Sequence, residues 1–172
     1  MNEILQTNRL ILRELSVEDS KSLYELNLNP NVVRYTGDKE FNNIKEAMSF
    51  LENYNDYKIN GFGRWAVIDK VSKDFLGWCG LKYDKEKDET DIGFRFFEHY
   101  WNKGYATESA KACLEYGFEA LNLEVIIGRV RTENAASIKV LEKLGLTYKK
   151  DFDFDGQKGF IYQIEKETKK LR

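Results

Sequence analysis

Proline and histidine each occur once in these 172 residues, and cysteine only twice. Cys79 and Cys113 fall in different expected elements and have no metal-ligand spacing, which argues against a disulfide framework and suits a reduced, cytoplasmic protein. His99 lies in the loop after an expected strand and reads as a surface residue rather than a base. Neither sign of charge dominates: 27 basic and 29 acidic residues leave a net charge of −2 and a pI of about 5.6. That balance carries no electrostatic footprint for nucleic acid. Residues 1–12 alternate polar and apolar, with no continuous apolar segment of secretory or membrane-spanning length. There is also no Gly-x-Gly-x-x-Gly run after an early strand and no P-loop ending, which sets aside a generic nucleotide-binding domain. The length fits one domain, 1–172, able to bury a continuous core, with no membrane or nucleic-acid partner.

What is present is a mixture of strand and helix signals. Residues 9–15 (RLILREL) read as a strand, and Ser16 as the N-cap of a helix over 17–28 that Pro30 stops. Asn43 caps a second helix with Ile44, Ala47, Met48, Leu51 and Tyr54 on one face, ending near Gly61. Segments 62–69, 75–84 and 90–97, parted by charged turns, predict an antiparallel meander. A strand over 124–131, a helix over 134–144 closed by Gly145 and a hairpin turning near Asp155-Gly156 complete the chain. A strand, helix, strand unit must bridge the centre with its two strands parallel. The Lys-rich tail from about 165 to 172 is expected to be frayed.

Between the meander and the later strand lies Tyr100-Trp101-Asn102-Lys103-Gly104-Tyr105-Ala106-Thr107-Glu108, a joint from strand to helix with its backbone left bare. Gly104 has no side chain and Ala106 almost none, so their N–H groups can approach a pyrophosphate at the positive end of the helix dipole. Taken alone, the same residues also read as a plain strand-to-helix turn. The helix that follows buries one face through Ala106, Ala110, Cys113, Leu114, Gly117 and Leu121. In the preceding strand, period-two alternation sets Ile92, Phe94 and Phe96 on a core face and Asp91, Gly93 and Arg95 on the other. A strand glycine marks a bulge or a close approach, and a splay beside it would free N–H and C=O groups for an extended, amide-bearing ligand.

These words, with Thr7-Asn8-Arg9-Leu10-Ile11-Leu12-Arg13, Asp91-Ile92-Gly93-Phe94, Asn134-Ala135-Ala136-Ser137 and Leu141-Glu142-Lys143-Leu144-Gly145-Leu146, resemble the GNAT superfamily of N-acetyltransferases over nearly the full length. The similarity is to the branch of the ribosomal-protein N-terminal acetyltransferases. It implies an α+β (mixed α/β) fold: a twisted, mostly antiparallel sheet of about six to seven strands, a parallel pair splayed at the coenzyme site, and about four flanking helices. It implies acetyl-CoA as co-substrate without a metal, and an amine acceptor, either a small molecule or a protein N-terminus. The oligomeric state is open between monomer and homodimer. The coenzyme would meet Phe94, Arg95, Phe96, Trp101, Asn102, Lys103, Gly104, Tyr105, Ala106, Thr107, Asn134 and Ser137.

Acetyl transfer to an amine needs a proton acceptor, an oxyanion donor and a proton for the departing thiolate. Asp91 stands where relatives place a catalytic glutamate, and Glu89, facing the same way, is the substitute. A main-chain N–H of the 94–96 segment would hold the oxyanion. The family's acid tyrosine falls at Leu141 here, leaving Ser137 or solvent as the proton source. Other readings stand beside these. Asp91 could be a solvated carboxylate or the ion-pair partner of Arg95, and Asn134 and Ser137 could serve only at a helix start. Tyr35, Trp65, Trp78 and Tyr162 read as packing residues, some of which could line an acceptor pocket. Without the tyrosine, a non-catalytic acyl-CoA-binding or sensor module is the alternative function. Asn102 replaces the glycine usual in this branch, and asparagine tolerates a left-handed backbone best after glycine.

Overall fold

Alternation in residues 10–14 turns Leu10 and Leu12, both fully buried, to one side and Arg13 to the other. In the computed structural model, which describes residues 2–167, the strands are β1 (Glu3–Gln6), β2 (Leu10–Glu14), β3 (Arg64–Asp69), β4 (Phe75–Asp84), β5 (Glu89–Phe96), β6 (Val125–Arg131), β7 (Thr147–Phe154) and β8 (Gln157–Glu165). They form one eight-stranded sheet in the order β1-β2-β3-β4-β5-β6-β8-β7. Every neighbouring pair is antiparallel except β5 and β6, which run parallel and share the single registered pair Asp91 and Ile127. The sheet thus has one strand more than the about six to seven expected. The addition is β1, a short edge strand whose four residues carry too little alternation to be read alone.

The helices are α1 (Ser20–Leu28), α2 (Pro30–Val33), α3 (Ile44–Asn53), α4 (Asp56–Asn60), α5 (Tyr105–Glu119) and α6 (Ala135–Lys143). The expected 17–28 helix opens with a 3-10 turn, Val17–Asp19, in which the Asp19 carboxylate accepts the Ser16 N–H. Pro30 ends α1 and then opens α2 from its first turn, where a missing N–H costs nothing. The expected 43–61 helix breaks at Tyr54, which is extended. Its hydroxyl accepts from Arg64 N, while the Tyr57 hydroxyl accepts from Leu15 N and donates to the Arg64 carbonyl. Burial pushes both tyrosines up, so these struts stay neutral.

One sheet face packs on α5 and α6 through Trp65, Cys79, Leu81, Ile92, Ile126 and Leu141. Cys79 and Cys113 meet in this core with Sγ atoms 3.7 Å apart, both free thiols, and burial pushes Cys113 up. The other face receives α1 and α3, with Leu23, Leu26, Val32 and Leu51 packed near Trp78 and Phe97. Among the described residues no helix is long and apolar enough to cross a membrane. Of the expected frayed tail, Glu165 closes β8 and Lys166 N–H bonds the Glu124 carbonyl. Residues 168–172 lie outside the described residues.

Candidate active site

The strand-to-helix joint needs two left-handed residues, and the chain supplies Asn102 at φ +59° and Gly104 at φ +80°. Gly104 is the N-cap of α5 and has no side chain to offer, so the first turn of the helix is uncapped. The N–H groups from Asn102 to Thr107 donate to no carbonyl or side chain among the described residues. Bare donors at the positive end of a helix dipole can bind an anion. Trp101 anchors the approach by donating from Nε1 to the Phe96 carbonyl at 2.9 Å. Lys103 stands over the Tyr100 ring at 5.7 Å from its centroid. Arg9 of the loop before β2 lies against Tyr105 and pairs with Glu108, which ties the N-terminal segment to the first turn of α5.

The joint follows β5, and β5 leaves β6 at Asp91. On the far edge of β5, Phe97 N–H bonds the Leu76 carbonyl of β4, whereas the Phe96 carbonyl turns the other way to Trp101. By period two, the Phe94 N–H and C=O also point into the opening between β5 and β6. Ile92 and Phe96 are buried, and Phe94 packs partly exposed against the same core. Asp91, Gly93 and Arg95 share the opposite face, as the alternation requires.

Asp91 is ion-paired, though not with Arg95. Its Oδ1 lies 2.6 Å from Arg64 Nη2 of β3 and its Oδ2 lies 2.7 Å from Arg129 Nη1 of β6. Arg129 also reaches Glu89 at 2.5 Å, so both candidate carboxylates are joined through one guanidinium. Gly93 makes this possible, because a Cβ there would come within 2.7 Å of the Arg64 guanidinium. Arg95 instead donates to Asn27 of α1 and to Asp38, fastening the 34–43 loop over the face. Trp78 lies between the two arginines, with ring-to-guanidinium distances of 5.3 Å to Arg64 and 5.2 Å to Arg95. Beyond the paired end of β5 and β6 is a cavity of about 580 Å³, lined by Glu89, Thr90, Val125, Ile127, Ile161 and Gln163 among others.

On α6, Asn134 is the N-cap and its Oδ1 accepts from Ser137 N at 3.2 Å. The Ser137 hydroxyl is half-buried and makes no hydrogen bond among the described residues. Leu141 is a core plug: it packs flat on β6 where Gly128 leaves room, since a Cβ on Gly128 would lie 2.9 Å from it. Trp65 and Tyr162 are core residues, Tyr35 stacks under Arg34, and His99 is exposed between Phe97 and Tyr100. Arg64, Arg129 and Arg9 are the site neighbours that sequence reasoning missed. Nothing in a single chain reveals which distant arginine meets which carboxylate, although the Thr7 to Arg13 word marks the last of them.

A family model described as an acetyltransferase (GNAT) domain matches residues 9–147. The uncharacterized N-acetyltransferase p20 of Bacillus licheniformis is 31% identical over 167 residues, covering 94% of this chain and 93% of that protein. A GNAT-family acetyltransferase from Bacillus anthracis superposes with a TM-score of 0.81 at 26% identity, over 94% of this chain and 97% of that one. The fold is shared too with the spermidine N-acetyltransferase of Vibrio cholerae, solved in complex with CoA and spermine (TM-score 0.76, 24% identity, 92% of this chain and 96% of that one). The chain therefore belongs to the GNAT acetyltransferases.

Proposed function

We propose that this chain moves an acetyl group from acetyl-CoA to a primary amine by direct attack in a ternary complex. The observation that carries the reading is the parting of β5 from β6 after the single pair Asp91 and Ile127, on the side that leads to the bare N–H groups of residues 102–107. The pyrophosphate would lie on that joint, and the pantetheine arm would pair with β5 through the Phe94 to Phe96 backbone. The thioester would then sit at the vertex, with the CoA-binding and spermine-binding relative from Vibrio cholerae as support for a coenzyme and an amine in one fold.

The amine nitrogen attacks the thioester carbonyl, a C–N bond forms, and collapse of the oxyanion breaks the C–S bond. Asp91 accepts from two guanidiniums, which uses two of about four lone-pair sites on a carboxylate. The remaining sites can hold the incoming amine and take its proton through a bridging water, with Glu89, joined to Asp91 through Arg129, as the substitute acceptor. A main-chain N–H of the 94–96 segment would hold the oxyanion. Ser137 or solvent would protonate the thiolate, a modest demand because a thiol is far more acidic than an amine. Asn134 would contact the coenzyme from the start of α6.

Acceptor class follows from charge at the vertex. Asp91, Glu89 and Asp38 are each already matched by an arginine, which favours a single amine on a neutral body over a polycation. The 580 Å³ cavity across the vertex sets Asp88 and Glu124 against Lys149 and Lys150 and has room for such a body. A sensor without turnover is the second reading, favoured by Leu141 filling the place of the acid tyrosine. Thiol release from acetyl-CoA with a panel of monoamines, polyamines and peptide N-termini separates the two. Turnover with a monoamine above spermidine is expected. Tight CoA binding with no thiol release across the panel would put the sensor in place of the enzyme.

A further inference from the structure

The Thr7-Asn8-Arg9-Leu10 word has no part in the chemistry above, yet it meets the joint at Lys103, Tyr105 and Glu108. Glu108, in the first turn of α5, accepts at Oε1 from Thr7 Oγ1 (2.6 Å) and Arg9 N (2.9 Å), and at Oε2 from Arg9 Nε (2.7 Å). The same guanidinium donates from Nη1 to the Lys103 carbonyl at 3.0 Å and lies 4.4 Å from the centroid of the Tyr105 ring. Its Nη2 has no hydrogen-bond partner among the described residues and stands 3.3 Å from where a Cβ of Gly104 would be. Thr7 is itself fixed, its hydroxyl accepting from Leu10 N and its N–H bonding the Leu10 carbonyl.

One arginine therefore grips the joint at Lys103, Tyr105 and Glu108, on both sides of left-handed Gly104. This matters for two physical reasons. The bare N–H groups bind an anion well only if their directions are fixed beforehand. A free carboxylate at Glu108, within a helical turn of that anion, would repel it unless a cation is bound to it.

We propose that Thr7 and Arg9 are positioning residues for the coenzyme: they hold the 103–108 joint in the shape that aims its N–H groups at the phosphates, and Arg9 neutralises Glu108 beneath them. The proposal rests on the joint being the coenzyme's phosphate seat. Arg9 acts on the phosphates through the joint, so its loss should be felt only by ligands that carry phosphates.

Calorimetric titration with CoA and with pantetheine, which lacks the phosphates, tests this on the whole chain. Arg9→Ala is expected to weaken CoA by about tenfold, the scale of a lost charged hydrogen bond, and to leave pantetheine within about twofold. Arg9→Lys should recover little, because an ammonium cannot fork between Glu108 and Lys103. Adding Glu108→Gln to Arg9→Ala should restore part of the CoA affinity by removing the unmatched charge. Thr7→Val, which removes one bond and no charge, should weaken CoA by about threefold and serves as the test if Arg9→Ala fails to fold. Unchanged CoA affinity in the folded arginine variant, or equal weakening of CoA and pantetheine, overturns the positioning role. The seat itself is read separately: Gly104→Val at φ +80° should abolish most CoA binding, and if it does not, the phosphate-seat reading falls rather than the clasp.

Discussion

At the 102–107 joint the groups able to meet a ligand are main-chain N–H groups, whereas at the vertex they are side chains from β3, β5 and β6 locked in ion pairs. The first kind of site depends on backbone shape. It tolerates most side chains and fails when φ is disturbed or bulk is added. The second depends on every charge having its partner, because replacing a carboxylate that is only 15% exposed and flanked by guanidiniums would strand two cations. A coenzyme common to a whole family can be held by backbone alone. An acceptor particular to one member has to be chosen by side chains.

The largest expected contrast comes from Asp91→Asn. The amide keeps the shape but loses the charge and one acceptor oxygen, so turnover with the best amine should fall by about a hundredfold or more, in the range of general acid–base catalysis. CoA affinity by calorimetry should stay within about twofold, since the joint lies at the other end of β5. Equal losses in both would erase the distinction between the two ends. Next in size is Gly93→Ala. The new Cβ would lie 2.7 Å from the Arg64 guanidinium and push it off Asp91 and the Gly80 carbonyl. Overpacking of this kind costs about 1–3 kcal/mol, so turnover should drop by about tenfold while CoA binding is spared. An alanine variant with full turnover would show that the Arg64 contact is dispensable.

The same difference in material explains what could be read in advance. The joint was legible because glycine, asparagine and a helix start are local signals, and Asn102 does adopt the left-handed backbone its residue type allows. So were β4, whose bounds match the expected 75–84, and the hairpin turn, where Asp155 and Gly156 both have positive φ. The vertex was legible only as far as the face on which Asp91 stands. Its partners lie 27 and 38 residues away on strands whose register no local pattern fixes, so Arg95 looked like the neighbour when Arg64 and Arg129 hold it. Two further features failed for a related reason: β1 has too few residues for periodicity and is held by pairing with β2, and the break between α3 and α4 at Tyr54 is fixed by tertiary bonds of the Tyr54 and Tyr57 hydroxyls.

The smallest expected effect separates the two ends by acid rather than by turnover. Burial raises Glu108, but the bonds from Thr7 and Arg9 outweigh it and hold the carboxyl below its ordinary range. A carboxylate depressed in the folded state contributes stability that is present above its unfolded pKa, about 4.3, and is lost as pH falls through the folded value. Glu108→Gln should therefore melt about 3 °C below the parent chain at pH 7, equivalent to about 1 kcal/mol in a domain of this size. The gap should close as the pH is lowered from about 5 through the depressed folded value, below which the parent carboxyl is itself protonated. Melting curves across that range read the effect directly, and a gap that stays constant into acid would mean that Glu108 holds the joint by shape and not by charge. Turnover at pH 7 relative to bound coenzyme should be unchanged in the same variant, since no contact of Glu108 reaches the vertex.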